Sequence, residues 1–145
     1  KLYLTRIYNH IKTYGGGILI FDYGPFKKGN VDTLQAIYKS KKCDILDYPF
    51  DCDITYHVDF EMMISLAKKK KLKTYGPITQ KDFLFFHGIN ERVVSLSNKV
   101  KSIQTKYNLE KQFEKLTDPD GIGSLIKCLF VSSYDINSKV FKDNE

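Results

Sequence analysis

The stretch Gly15-Gly16-Gly17-Ile18-Leu19-Ile20-Phe21-Asp22-Tyr23-Gly24 decides the fold class. Three glycines interrupt whatever precedes them, four apolar residues follow without a break, and Asp-Tyr-Gly closes the run. A short apolar run bounded by glycines reads as a strand buried on both faces, as in a parallel sheet. Its polar residues come only at the carboxyl end. In open α/β sheets ligands bind outside the carboxyl ends of the strands, so Asp22 and Tyr23 are the first candidate site residues. The plainer alternative is that Asp22 ends the strand and Tyr23-Gly24 makes a turn.

Upstream of this run, Leu4, Ile7, Tyr8 and Ile11 have the spacing of an amphipathic helix over residues 2 to 14. Gly15 and Gly16 supply its stop. Helix followed by buried strand is half of an α/β unit. Downstream, Gly24-Pro25 and Gly29-Asn30 mark a loop, and residues 32 to 39 read as a short extended strand. Asp53-Ile54-Thr55-Tyr56-His57-Val58-Asp59 alternates polar and less polar residues with the period of an extended chain. Asp59 then stands where a helix N-cap belongs, before a helix with Phe60, Met63, Ile64 and Ala67 on one face. Lys68 to Lys71 close that helix, where cations complement its dipole.

A second strand is expected from Leu72 to Pro77. Thr79 with Asp82 three residues on forms a capping box. It opens a short helix, Phe83 to Phe86, that is apolar nearly all round and therefore expected to be buried or to cover a pocket. A helix carrying Val93, Leu96, Val100 and Ile103 follows, then one with Leu109, Phe113 and Leu116. Thr117-Asp118-Pro119 reads as a stop and a fresh start, with Pro119 in a first turn. Cys128 to Val131 is the last buried strand, and the polar tail from Ser132 is expected to fray.

A chain of 145 residues with 42% apolar content can bury one core. No apolar run reaches the length of a bilayer span, and none has the pattern of a signal peptide. Three widely spaced cysteines point to reduced thiols in an intracellular compartment rather than a disulfide framework or a zinc site. The net charge of +6 concentrates in Lys39 to Lys42 and Lys68 to Lys73. Basic and aromatic residues do not interleave there as nucleic-acid stacking sites require, so nucleic acid is not the expected partner. The chain starts at Lys1 inside a helical pattern and reads as a piece of a longer polypeptide.

The polar residues that could carry chemistry are Asp22, Tyr23, Asp53, Thr55, His57, Asp59 and Gln80. Asp53, His57 and Asp59 match no tight metal-ligand spacing. No Gly-x-Ser-x-Gly elbow occurs. The three glycines precede a strand, whereas phosphate-binding glycine turns follow one.

Five blocks resemble, in order, the MidA family of S-adenosylmethionine-dependent methyltransferases. They are Gly16 to Gly24; Asp32-Thr33-Leu34-Gln35-Ala36; Asp53-Ile54-Thr55-Tyr56-His57-Val58-Asp59-Phe60; Gly76-Pro77-Ile78-Thr79-Gln80 with Phe83-Leu84 and Gly88-Ile89; and Leu116-Thr117-Asp118-Pro119. The third block is the most specific. Ser40, Ile45, Phe50 and Ile122 depart from the family's usual residues, which leaves the loop between Lys39 and Asp51 free to differ in shape. The resemblance implies an α/β fold: the C-terminal half of a Rossmann-like class I methyltransferase sheet, with residues 17–22, 72–77 and 127–131 as its fifth, sixth and antiparallel seventh strands. The helices of about residues 79 to 123 would be an insertion before the last strand, covering the strands' carboxyl ends. Residues 1 to 145 would then be one portion of one domain. The glycine turn that binds S-adenosylmethionine would lie upstream of Lys1, with no cofactor or metal ligand in the chain itself.

The implied activity is protein-arginine methylation, with a respiratory complex I subunit as a possible protein substrate and a bacterial cytoplasm or mitochondrial matrix as its place. Carboxylates can orient a guanidinium by paired hydrogen bonds. The resemblance therefore makes Asp22, Tyr23 and Asp53 the catalytic candidates and Thr55, His57 and Gln80 the substrate-binding ones. The alternative is a non-catalytic assembly module of the same fold, using its helical block to contact a partner.

Overall fold

The computed structural model describes residues 2–27, 29–30, 32–137 and 139–141. Helix α1 runs Leu2–Tyr14 and leads into strand β1, Gly17–Tyr23. Three short strands follow: β2 (Gln35–Tyr38), β3 (Lys41–Cys43) and β4 (Asp53–Thr55). Helix α2 (Phe60–Lys69) precedes β5 (Lys73–Thr79). Helices α3 (Gln80–Phe86), α4 (Ile89–Lys99), α5 (Ile103–Thr117) and α6 (Ile122–Leu125) then intervene before β6, Ile126–Ser132. A short 3-10 turn covers Lys139–Phe141.

The main sheet has the order β1-β6-β5, and both of its pairings are antiparallel. The last strand thus lies between two earlier ones that run the same way. Its central position explains its burial: Cys128, Leu129 and Val131 are all fully enclosed. Helices α1 and α2 cover one face. Tyr8, Ile11, Phe60, Ala67 and Leu72 meet Leu129 and Val131 there, forming the core.

Strand β1 is not buried on both faces. Its residues alternate, and Leu19, Phe21 and Tyr23 are about two-fifths exposed at 41%, 44% and 44%. The reason is that α1 and α2 supply a packing layer to one face only. On the other face Phe83 of α3 meets Phe21 edge-on, with ring centroids 5.0 Å apart.

The helix termini follow local chemistry. Gly15, with φ of 82°, donates its amide to the Ile11 carbonyl and ends α1. Asp59 caps α2 by accepting the Met62 amide at 2.8 Å, and Thr79 caps α3 by accepting the Asp82 amide at 3.1 Å. The apolar spacing from Val93 to Ile103 is split between two helices. Val100 is extended and Ser102 caps α5, so Ile103 lies 86% exposed at the start of the next helix. Pro119 precedes α6, which starts only at Ile122 after Gly121. Phe85 and Phe86 are 37% and 52% exposed rather than enclosed. Beyond Ser132 the chain stays docked: Tyr75 donates its hydroxyl to Asp135 and accepts the Ile136 amide, both at 2.7 Å. The last four residues of the expected fraying tail lie outside the described residues.

Strands β3-β2-β4 form a separate small sheet, antiparallel throughout. It pairs Gln35 with Thr55 and so lays the Asp32–Ala36 block beside the Asp53–Phe60 block.

Candidate functional site

One bond brings the segments flanking the small sheet to the carboxyl end of β1, and a second ties those segments to each other. The Val58 amide donates to the Tyr23 carbonyl at 2.8 Å, and the His57 amide donates to Thr33 Oγ1 at 3.1 Å. Gly24 is needed at this junction. A Cβ there would lie 2.6 Å from the Val58 carbonyl oxygen and 3.1 Å from the Phe60 ring.

A cavity of about 890 Å³ opens beside that junction. Helix α1 gives it Tyr3, Leu4 and Ile7, and α2 gives it Phe60, Met62 and Met63. The floor is therefore apolar, with the adaptable thioethers of two methionines. The polar lining comes from the two adjoining blocks: Asp32 and Thr33 from one, Tyr56, His57 and Asp59 from the other. Pro25 and Lys27 complete the wall from the loop after β1. An apolar floor with a few convergent polar groups is the usual form of a small-group binding site. Asp32 Oδ1 accepts the Leu34 amide at 2.9 Å. A carboxylate has about four acceptor positions, so that bond leaves capacity for an incoming donor.

The candidate residues separate in space. His57 and Asp59 line the cavity. Asp22 and Tyr23 adjoin it through the Tyr23 carbonyl, and Asp22 Oδ1 accepts the Tyr23 amide at 2.8 Å. Asp53 and Thr55 are exposed on β4 and do not line the cavity. Gln80 is not in its wall either. It is buried at 8% exposure and donates its side-chain amide to the Leu116 carbonyl at 2.9 Å, joining α3 to the end of α5. Asp32, Lys27 and the methionines escaped the sequence reading. The Asp32-Thr33 pair at the head of its block was the available signal, but its relation to residues 56–59 depends on strand pairing.

The least expected group nearby is Lys127, inside β6. It is directly opposite Asp22 in β1 and Thr79 in β5, and only 6% exposed. Burial lowers its pKa from the ordinary lysine value. Among the described residues, no set of three or more His, Cys, Asp or Glu is arranged to hold a metal ion. No helix among them is long and apolar enough to cross a membrane.

The glycine run does not form a cofactor cradle. It stands at the amino end of β1, away from this junction. The space a Cβ would take at Gly15 is filled by Tyr134, and at Gly17 by Phe130 and the Val131 carbonyl.

Solved structures define the class of fold. A protein from Burkholderia thailandensis superposes with a TM-score of 0.82 at 21% identity, over 98% of this chain and 39% of its own. Another from the same organism, bound to S-adenosyl-homocysteine, gives 0.80 at 21% identity, over 98% of this chain and 38% of its own. The particular family follows from sequence. Residues 1–78 match the family described as "Putative S-adenosyl-L-methionine-dependent methyltransferase", and the chain belongs to it, in agreement with the MidA resemblance. Relatives include the mitochondrial protein arginine methyltransferase NDUFAF7 of Xenopus tropicalis, 31% identical over 88% of this chain and 29% of the relative. The Caenorhabditis elegans homolog is 30% identical over 88% and 30%. The chain thus spans under a third of the length of these curated relatives.

Proposed function

We propose that this chain is the C-terminal part of a methyltransferase domain that transfers a methyl group from S-adenosylmethionine to an arginine side chain of a protein. The observation that carries the reading is the cavity at the carboxyl end of β1, where two blocks of a methyltransferase family meet. In this reading β1, β5 and β6 correspond to the fifth, sixth and seventh strands of a class I methyltransferase sheet. The order β1-β6-β5, with the last strand antiparallel between the others, supports that assignment. Helices α3 to α6 are then the insertion before the seventh strand. The glycine run does not fit the methyl donor, so its binding turn is assigned to sequence outside this chain.

What this chain supplies is the acceptor side. An arginine combines an apolar stem with a planar fork of donors. The stem suits the floor of Leu4, Ile7 and Met63, and the fork suits carboxylates on the rim. Asp32 and Asp59 are the carboxylates in the wall, with Asp22 at the adjoining strand end. His57 and Tyr56 flank the entering group. Asp22 and Tyr23 remain the catalytic candidates at the strand end. Asp53 and Thr55, exposed on β4, are assigned to the approaching substrate chain rather than to the guanidinium. The substrate is proposed to be a protein, with a subunit of respiratory complex I as its first candidate. The mitochondrial names of the relatives favour the matrix as its place.

The test uses the natural polypeptide that carries this chain, labelled S-adenosylmethionine and arginine peptides. Transfer to arginine, reduced at least about tenfold in kcat/KM by Asp32→Asn or Asp22→Asn, is expected. Normal transfer by both variants would remove these carboxylates from the site. No transfer to any acceptor, with tight binding to a partner protein, would favour the assembly module.

A further inference from the structure

Lys127 is a buried charged side chain at the start of an apolar strand, which is costly unless the ammonium is compensated. Its compensation does not come from the carboxylate facing it. The Lys127 ammonium donates to the Ser124 carbonyl and lies 3.5 Å from that of Leu125. It also lies 4.7 Å from the centre of the Phe26 ring, within reach of a cation–π attraction. Leu125 has a second role: its carbonyl accepts the Gly24 amide at 3.2 Å. One ammonium therefore joins three pieces of chain: the end of α6, the start of β6 and the turn that leaves β1.

Phe26 is 47% exposed, and among the described residues its ring contact is with the Lys127 ammonium. Its two chain neighbours, Pro25 and Lys27, both line the cavity. We infer that Lys127 is a positioning residue: through Phe26 and the Leu125 carbonyl it fixes the turn Gly24–Lys27, and so sets the wall of the cavity proposed to hold the acceptor arginine. This rests on the acceptor reading for its kinetic consequence, but not for the pinning itself.

The test compares Lys127→Met, Lys127→Arg and Phe26→Leu in the natural polypeptide that carries this chain. Lys127→Met keeps the length of the stem and removes the charge. It is expected to raise KM for an arginine peptide by about tenfold while kcat changes little. Lys127→Arg, which keeps a cation over the ring, restores most of the loss. Phe26→Leu reproduces the Lys127→Met effect, and the double variant is no worse than either single one, as for two residues that act as a pair. Amide exchange, which needs no activity, is read in parallel. Peptides covering residues 24–27 should exchange faster in Lys127→Met and Phe26→Leu, while those covering Leu129 and Val131 stay protected. If Lys127→Met does not fold, Phe26→Leu decides alone, since it leaves the strand intact. Unchanged exchange at residues 24–27 in Phe26→Leu overturns the pinning. Faster exchange with unchanged KM keeps the pinning and overturns its role in acceptor binding. Faster exchange in a polypeptide that transfers no methyl groups keeps the pinning and rejects the acceptor reading.

Discussion

The two sheets share strand number and antiparallel pairing but differ in strand length and burial. The main sheet is built from seven-residue strands, and its central strand is enclosed on both sides. The small sheet has strands of three or four residues, and Ala36 is its one buried residue among the core set. It is held by turns and local pairs instead: the Tyr38 and Tyr48 rings stack at 4.0 Å, and Asp44 accepts the Leu46 amide. Lys39 and Ser40, both with positive φ, make the tight turn between β2 and β3. The lesson is a division of labour. The main sheet stores stability, and the segments flanking the small sheet bring polar side chains to a cavity whose apolar lining comes from α1 and α2.

The widest separation between the two should come from side-chain truncation. Leu129→Ala in the main sheet is expected to cost about 2–5 kcal/mol, as for other enclosed leucines. Ile54→Ala in the small sheet, at 56% exposure, should cost no more than about 0.5 kcal/mol. Urea midpoints decide it, and equal losses would break the comparison.

Alkaline pH should act next, and most on the main sheet's core. Burial pushes the Tyr8 hydroxyl and the Cys128 thiol up to about 12. Between their ordinary values and about 12, the unfolded chain gives up protons that the folded chain keeps. Stability is therefore full below that window and falls as pH rises through it. Thermal melts across the window should show the fall, and Tyr8→Phe with Cys128→Val should flatten it. An unchanged pH slope in that pair would remove the two groups as its cause.

Asp59→Ala, at the junction, should cost about 0.5–2 kcal/mol through the lost cap. It should also raise KM for an arginine acceptor, because the same carboxylate lines the cavity. Loss of stability with normal kinetics would make Asp59 a cap only. Tyr8→Phe should be smaller and opposite in sign. The Tyr8 hydroxyl is fully buried without a hydrogen-bond partner among the described residues. Removing it should stabilise by about 1 kcal/mol, and a clear destabilisation would reveal a partner. Smallest is Ser40→Gly in the small sheet's turn, where φ is 64°. A gain of up to about 1 kcal/mol is expected from relief of the left-handed conformation.

These expectations follow how the chain could be read in advance. Caps were legible because they are local: Asp59 and Thr79 each act on an amide three residues away. The helix of Tyr8 and Ile11 was legible for the same reason. The exposure of Phe21 was not, because an apolar run looks the same whether or not a second layer covers it. The break at Val100 was hidden by apolar residues that kept helical spacing across it, although Ser102 is a cap that marked the new start. Of the polar candidates visible in the sequence, only His57 and Asp59 line the cavity. Its floor comes from α1 and α2, and no local pattern ties Ile7 to Met63. Lys127 was a visible anomaly, a lysine in an apolar strand, but its partners Phe26 and Ser124 are set by tertiary structure.

The central position of β6 has a consequence for synthesis. The strand that joins β1 to β5 is the last of the sheet to leave the ribosome. Ser132, which bonds to the Gly16 carbonyl, is 116 residues away in sequence. Until β6 emerges, β1 and β5 lack the strand that joins them, and the edges it will cover are exposed to wrong pairing. Closing so long a loop is slow, since its entropy is lost before any contact is gained. A nascent chain arrested before Ile126 should therefore leave Tyr8, Ile11 and Phe60 without Leu129 and Val131 to pack on, and should bind holdase chaperones until the final strand arrives.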